Sequence, residues 1–366
     1  FGIPTSLKDT NPYRWIAYRR WYNHQFAAWQ ERIYKTVKEV APKVHVISVD
    51  PIANVMPLDY SGYGRHVDIM THQLYPRNNR WQQNSAMITK TLRDLTGKAV
   101  MPCAHVENYS NSFRPDEVRE LMSQVYRGGG EGFHLYMPDT AGTQGGVHDL
   151  RSDRYGSWSR WQTVMGTLDN AARNPRPVYP KPDCAILLSN DGEMGEIAGG
   201  LRGKGRFTWL FQLLGPSARG WFQIVSDNQV GRREIDLASY PVIYVPGAAH
   251  FQRREIVQAL ADYVHQGGTL VVCQPDAFAM HLDGTPNTEL LAKLLPATGE
   301  QAEHTRLAVR SDSPSGAFKL PLIPPDGKGA KILLAPGVTT IMLYEDKAIA
   351  AARKQVGKGQ VIYFAF

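Results

Sequence analysis

Three hundred and sixty-six residues exceed one typical domain of ~150 and fit two or slightly more. Hydrophobic residues make up 43% and charged residues 20%, with 33 Gly and 24 Pro spread along the chain, which excludes long intrinsic disorder; no apolar run nears the ~18–20 residues of a membrane-crossing helix. The net charge of +7 comes from short pairs such as Arg232-Arg233 set among acids, so no nucleic-acid partner is expected, and the cysteines Cys103, Cys184 and Cys273 are too scattered for a disulfide framework or a thiolate metal site.

Along residues 14–40, apolar and aromatic side chains from Trp15 to Val40 recur every three or four positions and predict one long amphipathic helix. In it Trp15, Trp21 and Trp29 read as packing residues. Pro42 ends it, and the β-branched run at 44–49 predicts a short buried strand. Further strands are expected at 66–70, 98–108 and 131–138, alternating with helices at 80–95, 115–130 and 158–172. The helix at 115–130 carries Pro115 in its first turn, Asp116 and Glu117 near its start and glycines at its end. Four strand–helix alternations are the signature of parallel βα units, and they amount to half of the eight that close a (β/α)8 barrel.

Residues 174–183 hold four prolines and predict a stiff linker. Beyond it, strands at 184–189, 222–226, 241–247 and 269–273 and helices near 207–214 and 252–266 read as a flavodoxin-like doubly wound sheet, completed by short strands up to residue 366. The expected domains are thus 1–175, half a barrel; 176–183, linker; and 184–366. The chain starts FGIPTSLKD and stops on the strand-like GQVIYFAF, so the expectation is a fragment cut at both ends.

Polar and aromatic residues gather where the strands of the first half end, which in a (β/α) barrel is the catalytic face. Glu107, at the end of the run AVMPCAHVEN, is the candidate carboxylate nucleophile, with His72, Tyr75, His105, Asn108, Tyr109, Tyr136 and Trp158 as sugar-binding candidates. Glu107 reads equally well as a carboxylate in a salt bridge to a neighbouring helix. Glycoside cleavage through a covalent intermediate needs a second carboxylate ~5–5.5 Å away. Asp50 and Asp139 follow strands but read as loop-capping residues, and Glu131 stands at the wrong end of its strand. Trp81, Tyr155 and Trp161 add to the aromatics near the loops. His72, His105 and His134 match no metal-ligand spacing, so neither metal nor cofactor is expected. In the second half the run GGLRGKGR at 199–206 lacks P-loop spacing, and Cys273 reads as a structural thiol, so that domain reads as non-catalytic.

The runs VISVDPIANVMPLDY, HVDIMTHQLYP, AVMPCAHVENYS and RELMSQVYRGGGEGFHLYMP resemble the second half of the barrel of family 42 glycoside hydrolases, the β-galactosidases of clan A. The run YPVIYVPGAAHFQRREIVQALADYVHQGGTLVV resembles that family's trimerisation domain, a class I glutamine-amidotransferase-like fold without its catalytic cysteine. The resemblance covers roughly residues 1–275. It implies a retaining β-glycosidase with Glu107 as nucleophile and Tyr75-Pro76 in the sugar-binding loop. It also implies an oligo- or polysaccharide substrate and a homo-oligomer, possible as a trimer. The family's acid/base glutamate lies in an Asn-Glu pair, and no such pair occurs in these 366 residues, so the general acid is expected upstream. Asp50 stands in place of a common Asn and His72-Gln73 in place of a Trp-Asp segment, which leaves room for a clan A relative acting on another β-linked sugar. Two readings stay beside this one: a non-catalytic carbohydrate-binding or oligomerisation protein, and an amidotransferase-like enzyme using Cys273. A soluble protein is expected, its compartment open between bacterial cytoplasm, periplasm and secretion.

Overall fold

The computed structural model describes residues 3–4, 11–48, 58–74, 85–104, 107–108, 111–112, 114–135, 157–174, 178–198, 204–247, 249–303, 307–308, 321–322, 328–344 and 346–366. The chain divides into two compact units, one of residues 23–180 and one of residues 1–22 with 181–366. Residues 1–22, expected with the first half, count with the second unit. Both units mix helix and strand, and no helix among the described residues is long and apolar enough to cross a membrane.

The helix α1, Pro12–Val40, starts at Asn11, whose side-chain oxygen accepts the backbone N–H groups of Tyr13 and Arg14 at 3.1 and 3.3 Å. Its fully covered positions are Ile16, Asn23 and Gln30, a heptad-spaced stripe, and Gln30 donates to the carbonyl of His66 at 3.1 Å. Trp21 and Trp29, expected as packing residues, are instead 56% and 48% exposed. Aromatics lie almost all round this helix, so the three-and-four spacing did not identify which stripe is buried.

In the unit of residues 23–180, short strands follow one another in sequence order. After the turn α2 (Tyr60–Tyr63) come β1 (Ile69–Met70) and β2 (Gln73–Leu74), then α3 (Ser85–Thr96), β3 (Ala99–Val100) and β4 (Cys103–Ala104). A hairpin of β5 (Glu107–Asn108) and β6 (Asn111–Ser112) leads to α4 (Pro115–Arg127), β7 (His134–Leu135) and α5 (Ser157–Arg173). Ile47 bridges Ile69; β1 pairs β3, β2 pairs β4 and β4 pairs β7, every pairing parallel. The ladder of the expected 98–108 strand breaks at Pro102, which has no N–H to give, and resumes where Cys103 donates to the carbonyl of His72 at 2.7 Å. The helix α4 shows its buried stripe at Val118, Leu121, Met122 and Val125, packed with Leu74 and Val164.

The second unit runs through β8 (Cys184–Leu188), α6 (Asn190–Ala198), α7 (Lys204–Gln212) with a π-turn at Leu213–Ser217, β9 (Phe222–Ser226), α8 (Asp227–Gly231), β10 (Val242–Val245), α9 (Arg254–His265) and β11 (Thr269–Val272). The helix α10 (Thr288–Leu294) and strands β12 (Thr298–Glu303), β13 (Leu307–Ala308), β14 (Pro321–Leu322), β15 (Lys328–Ile332), β16 (Val338–Leu343), β17 (Ile349–Val356) and β18 (Gly359–Phe364) follow. One nine-stranded sheet orders them β12-β15-β17-β18-β11-β10-β8-β9, with β16 also on β17; β13 pairs β14 apart from it. From β18 to β9 every pairing is parallel, so the parallel strands, counted in chain order, stand 2-1-3-4-5. Ala185, Ile186 and Leu187 are all fully buried, as a strand covered on both faces requires. The helix α9 adds Ile256, Val257, Leu260, Ala261 and Val264 to that core.

Candidate functional site

The pleat of the short parallel strands sorts side chains into two faces. Met70, His72 and Leu74 are fully buried on the helix side: Leu74 joins the core of α4 and α5, and His72 Nε2 lies 3.0 Å from Thr89 Oγ1 on α3. The register sets Gln73 beside Cys103 and Cys103 beside His134, so these three stand abreast on the opposite face, Cys103 buried and the other two half-buried. Because His72 and His134 belong to opposite faces, they do not share a metal. Among the described residues no group of three or more His, Cys, Asp or Glu is arranged to hold one.

Glu107 begins β5, three residues beyond the parallel strand β4 and at its carboxyl end, with its backbone paired to Ser112 and that of Asn108 to Asn111. The backbone of Trp158 belongs to α5. The side chains of Glu107, Asn108, Trp158 and Trp161 lie outside the description, as do residues Asp50, Tyr75, Trp81, His105, Tyr109, Tyr136, Asp139 and Tyr155. Glu131 is described just before β7, where its N–H donates to the carbonyl of Val100 at 2.9 Å. Of the candidates for the nucleophile and the sugar contacts, then, His72 is the one whose side chain is described, and it is turned to α3. No signal in the sequence marked that orientation: Thr71 beside His72 is buried too, and the strand register, not the residue pattern, sets Gln73 and Cys103 on the other face.

In the second unit the carboxyl edge of the parallel sheet gathers Ser189, Asn190 and Asp191 behind β8, Asp227 behind β9, and Gln252 and Arg253 ahead of α9. Doubly wound sheets bind ligands at this edge, between the first and third strands. Here the protein's own charges fill it: the Asp191 carboxylate accepts from Arg253 Nε at 2.5 Å and from Arg20 Nη1 at 3.0 Å. Burial and the neighbouring Asp191 carboxylate push the Asp227 carboxyl up to about 7, against the pull of Arg253. Sequence reading missed this cluster, because it joins four segments, at Arg20, Ser189–Asp191, Asp227 and Gln252–Arg253, each at least 25 residues from the next. The Gly-rich run at 199–206 falls at residues whose side chains are not described. Cys273 is half-buried behind β11, and His250 Nδ1 stands 2.8 Å from Asp276 Oδ2.

No family model matches the chain, and no curated protein is similar to it in sequence. Solved structures are similar in fold. A catalytic mutant of a GH42 beta-galactosidase from G. stearothermophilus matches all of this chain at TM-score 0.74 and 16% identity, over 57% of its own length. The beta-galactosidase of the Antarctic haloarchaeon Halorubrum lacusprofundi matches all of it at TM-score 0.77 and 14% identity, over 58% of its length. An exo-beta-1,4-mannosidase from Opitutaceae bacterium strain TAV5 matches 94% of the chain at TM-score 0.61 and 14% identity, over 64% of its length. The chain spans 57–58% of these beta-galactosidases, and at such identities the likeness is one of architecture: it has the α/β fold of a little over half of a GH42 beta-galactosidase.

Proposed function

We propose that residues 1–366 are part of a retaining glycoside hydrolase acting on β-linked sugars, β-galactosidase-like, by double displacement. The observation that carries this reading is the run of parallel strands adjacent in sequence order, with Glu107 just beyond the carboxyl end of one of them. In this reading residues 23–180 are half of a (β/α)8 barrel, whose catalytic groups stand at strand carboxyl ends. The 2-1-3-4-5 order and the likeness over the full chain support a flavodoxin-like, amidotransferase-like assembly domain for the second unit. Charges already fill that unit's ligand edge, which favours an assembly role over a catalytic one.

Glu107 is the nucleophile, and the general acid/base is a carboxylate supplied from outside these 366 residues, upstream in the complete protein. Tyr75, His105, Asn108, Tyr109, Tyr136 and Trp158 bind the sugar in this reading. The substrate is an oligo- or polysaccharide, and the molecule assembles as a homo-oligomer, in this reading a trimer.

The test is made on the complete protein. Glu107→Gly should lower turnover of an aryl β-galactoside by several orders of magnitude, and azide should restore part of it as the α-glycosyl azide. An aryl β-mannoside in a parallel assay separates the two sugar classes named by the structural neighbours. Undiminished turnover in a folded Glu107→Gly protein would remove Glu107 from the mechanism; sugar binding without turnover in the unaltered protein would favour the carbohydrate-binding reading.

A further inference from the structure

Four charges alternate along the carboxyl edge of the second unit's parallel sheet: Arg20 of α1, Asp191 of α6, Arg253 ahead of α9 and Asp227 of α8. Asp191, 1% exposed, takes Arg20 Nη1 on its two oxygens at 3.0 and 3.1 Å and Arg253 Nε at 2.5 Å. Asp227, fully buried, accepts on Oδ2 from the backbone N–H of Asp191 at 3.1 Å and from Gln252 Nε2 at 3.2 Å; Ser189 Oγ stands 3.5 Å away. Arg253 Nη2 lies 4.0 Å from Asp227 Oδ1 and donates to Asn228 Oδ1 at 2.9 Å, while Glu255 stands 3.8 Å from Arg253 Nη1 at the exposed rim. The start of α1 rests on apolar residues of the same unit. Ile16 packs with Met194 and Phe251, and the Tyr13 ring meets Phe251 edge-on at 5.8 Å. Gly284, at φ +90°, leaves the space that the Tyr13 ring fills.

We propose that this cluster is a proton-gated latch: with Asp227 ionised it holds the first turns of α1 on the sheet edge through Arg20, and with Asp227 protonated it lets them loosen. The reason is Coulombic. With Asp227 ionised, Arg20 faces the carboxylates of Asp191 and Asp227 and the guanidinium of Arg253, with Glu255 at the exposed rim in either state; protonation of Asp227 removes one negative charge from that set and weakens the hold on Arg20. Arg20 is the member free to leave. Its side chain is 39% exposed, whereas that of Arg253 is 13% exposed and tied to Asp191, Asn228, Asp227 and Glu255. Coupling is reciprocal, so a docked Arg20 in turn favours the ionised carboxyl.

The shift of Asp227 from 3.8 to about 7 sets the gate near neutrality and gives the sign of its effect on global stability. The folded-state value is raised, so the folded chain binds the proton more tightly than the unfolded one. Global stability from this group therefore rises as pH falls from about 7 towards 4, while the docking of α1 weakens over the upper part of that range. Local loosening and global stability move in opposite directions, which separates the latch from simple acid unfolding.

Amide hydrogen exchange of the complete protein between pH 6 and 8.5, corrected for intrinsic exchange, reads both. Residues 12–22 should exchange about fivefold faster at pH 6 than at 8.5, the scale of a half-exposed ion pair, while Thr269–Val272 keeps its protection. Asp227→Asn should hold residues 12–22 in the loose state at every pH, and Arg20→Gln should do the same while leaving Asp227 and its own hydrogen bonds in place. Protection of residues 12–22 that is flat with pH in the unaltered chain overturns the proposal, as does a pH step that persists in either variant.

Discussion

Replacing Leu74 with alanine tests the two-faced reading of the short parallel strands. Leu74 is fully buried against Val118, Leu121, Met122 and Val125 of α4 and Val164 of α5. The substitution deletes three carbons, about 2.4 kcal/mol at ~0.8 per carbon group. Two helices and a hydrogen-bonded strand hold the walls of the site apart, so the cavity persists and adds about 1–2 kcal/mol. The expected loss is about 3–4 kcal/mol, a fall in Tm of about 7–14 °C for a unit of this size. Gln73, its neighbour on the other face, is half-buried, and Gln73→Ala should cost under about 1 kcal/mol. Calorimetry of both variants gives the contrast, with hydrogen exchange in Pro115–Arg127 assigning the transition to the unit of residues 23–180. Equal losses, or a greater loss for Gln73→Ala, would invert the assignment of faces and remove Gln73, Cys103 and His134 from the open side of the strands.

Lys90 and Asp94 form an ion pair of 2.9 Å on α3 with side chains 3% and 6% exposed. Asp94→Ala should cost about 3–5 kcal/mol in chemical denaturation by removing the carboxylate that faces a buried ammonium, whereas the double change Lys90→Met with Asp94→Leu should cost far less. Asp68 loses ionisation energy to burial, yet Lys38 Nζ at 2.7 Å, the Val46 N–H at 2.8 Å and the Tyr34 hydroxyl at 3.0 Å hold its carboxyl down at about 2. A depressed carboxyl stabilises fully above its unfolded value of 3.8 and less as pH falls towards 2. Asp68→Asn should therefore cost about 1 kcal/mol at pH 7 and only a small part of that near pH 2, as urea midpoints at the two pH values will read. A Cβ at Gly359 would meet the backbone carbonyls of Gly268 and Val264, which cannot swing aside. Gly359→Ala should lower stability by more than about 2 kcal/mol, measured by the urea midpoint.

Elements with strong local signals were legible to within a few residues. Pro115 and the glycines after Arg127 bracket α4, and the apolar runs near 184, 242, 269 and 360 are all strands of the large sheet. Short pieces were less legible. The helix α6 was missed although Asn190, Asp191 and Glu193 mark its first turn, and α8 was missed although Ser226 and Gln229 cap it reciprocally, with Ser226 Oγ accepting the N–H of Gln229 at 3.2 Å. At 44–48 the expected strand is a single bridge from Ile47 to Ile69 among the described residues. The place of Glu107 beyond an apolar strand was legible, and its hairpin was not, since β5 and β6 are two residues each. His72 looked like its neighbours by composition. Only the parity of its strand turns it to Thr89, and parity becomes visible once the register is known.

The position of β18 has a consequence for the order of events during synthesis. Residues 359–364 form a middle strand: β11, about ninety residues earlier, pairs on one side, and β17 on the other. Until those residues leave the ribosome, the parallel strands and the antiparallel ones are two separate sheets, each with a bare edge. The sheet is then completed in a single late step that joins distant segments, a pairing that is intrinsically slow. A ribosome stalled before residue 359 would hold two open edges in solution, so this unit depends on β18 for protection from aggregation as much as for stability.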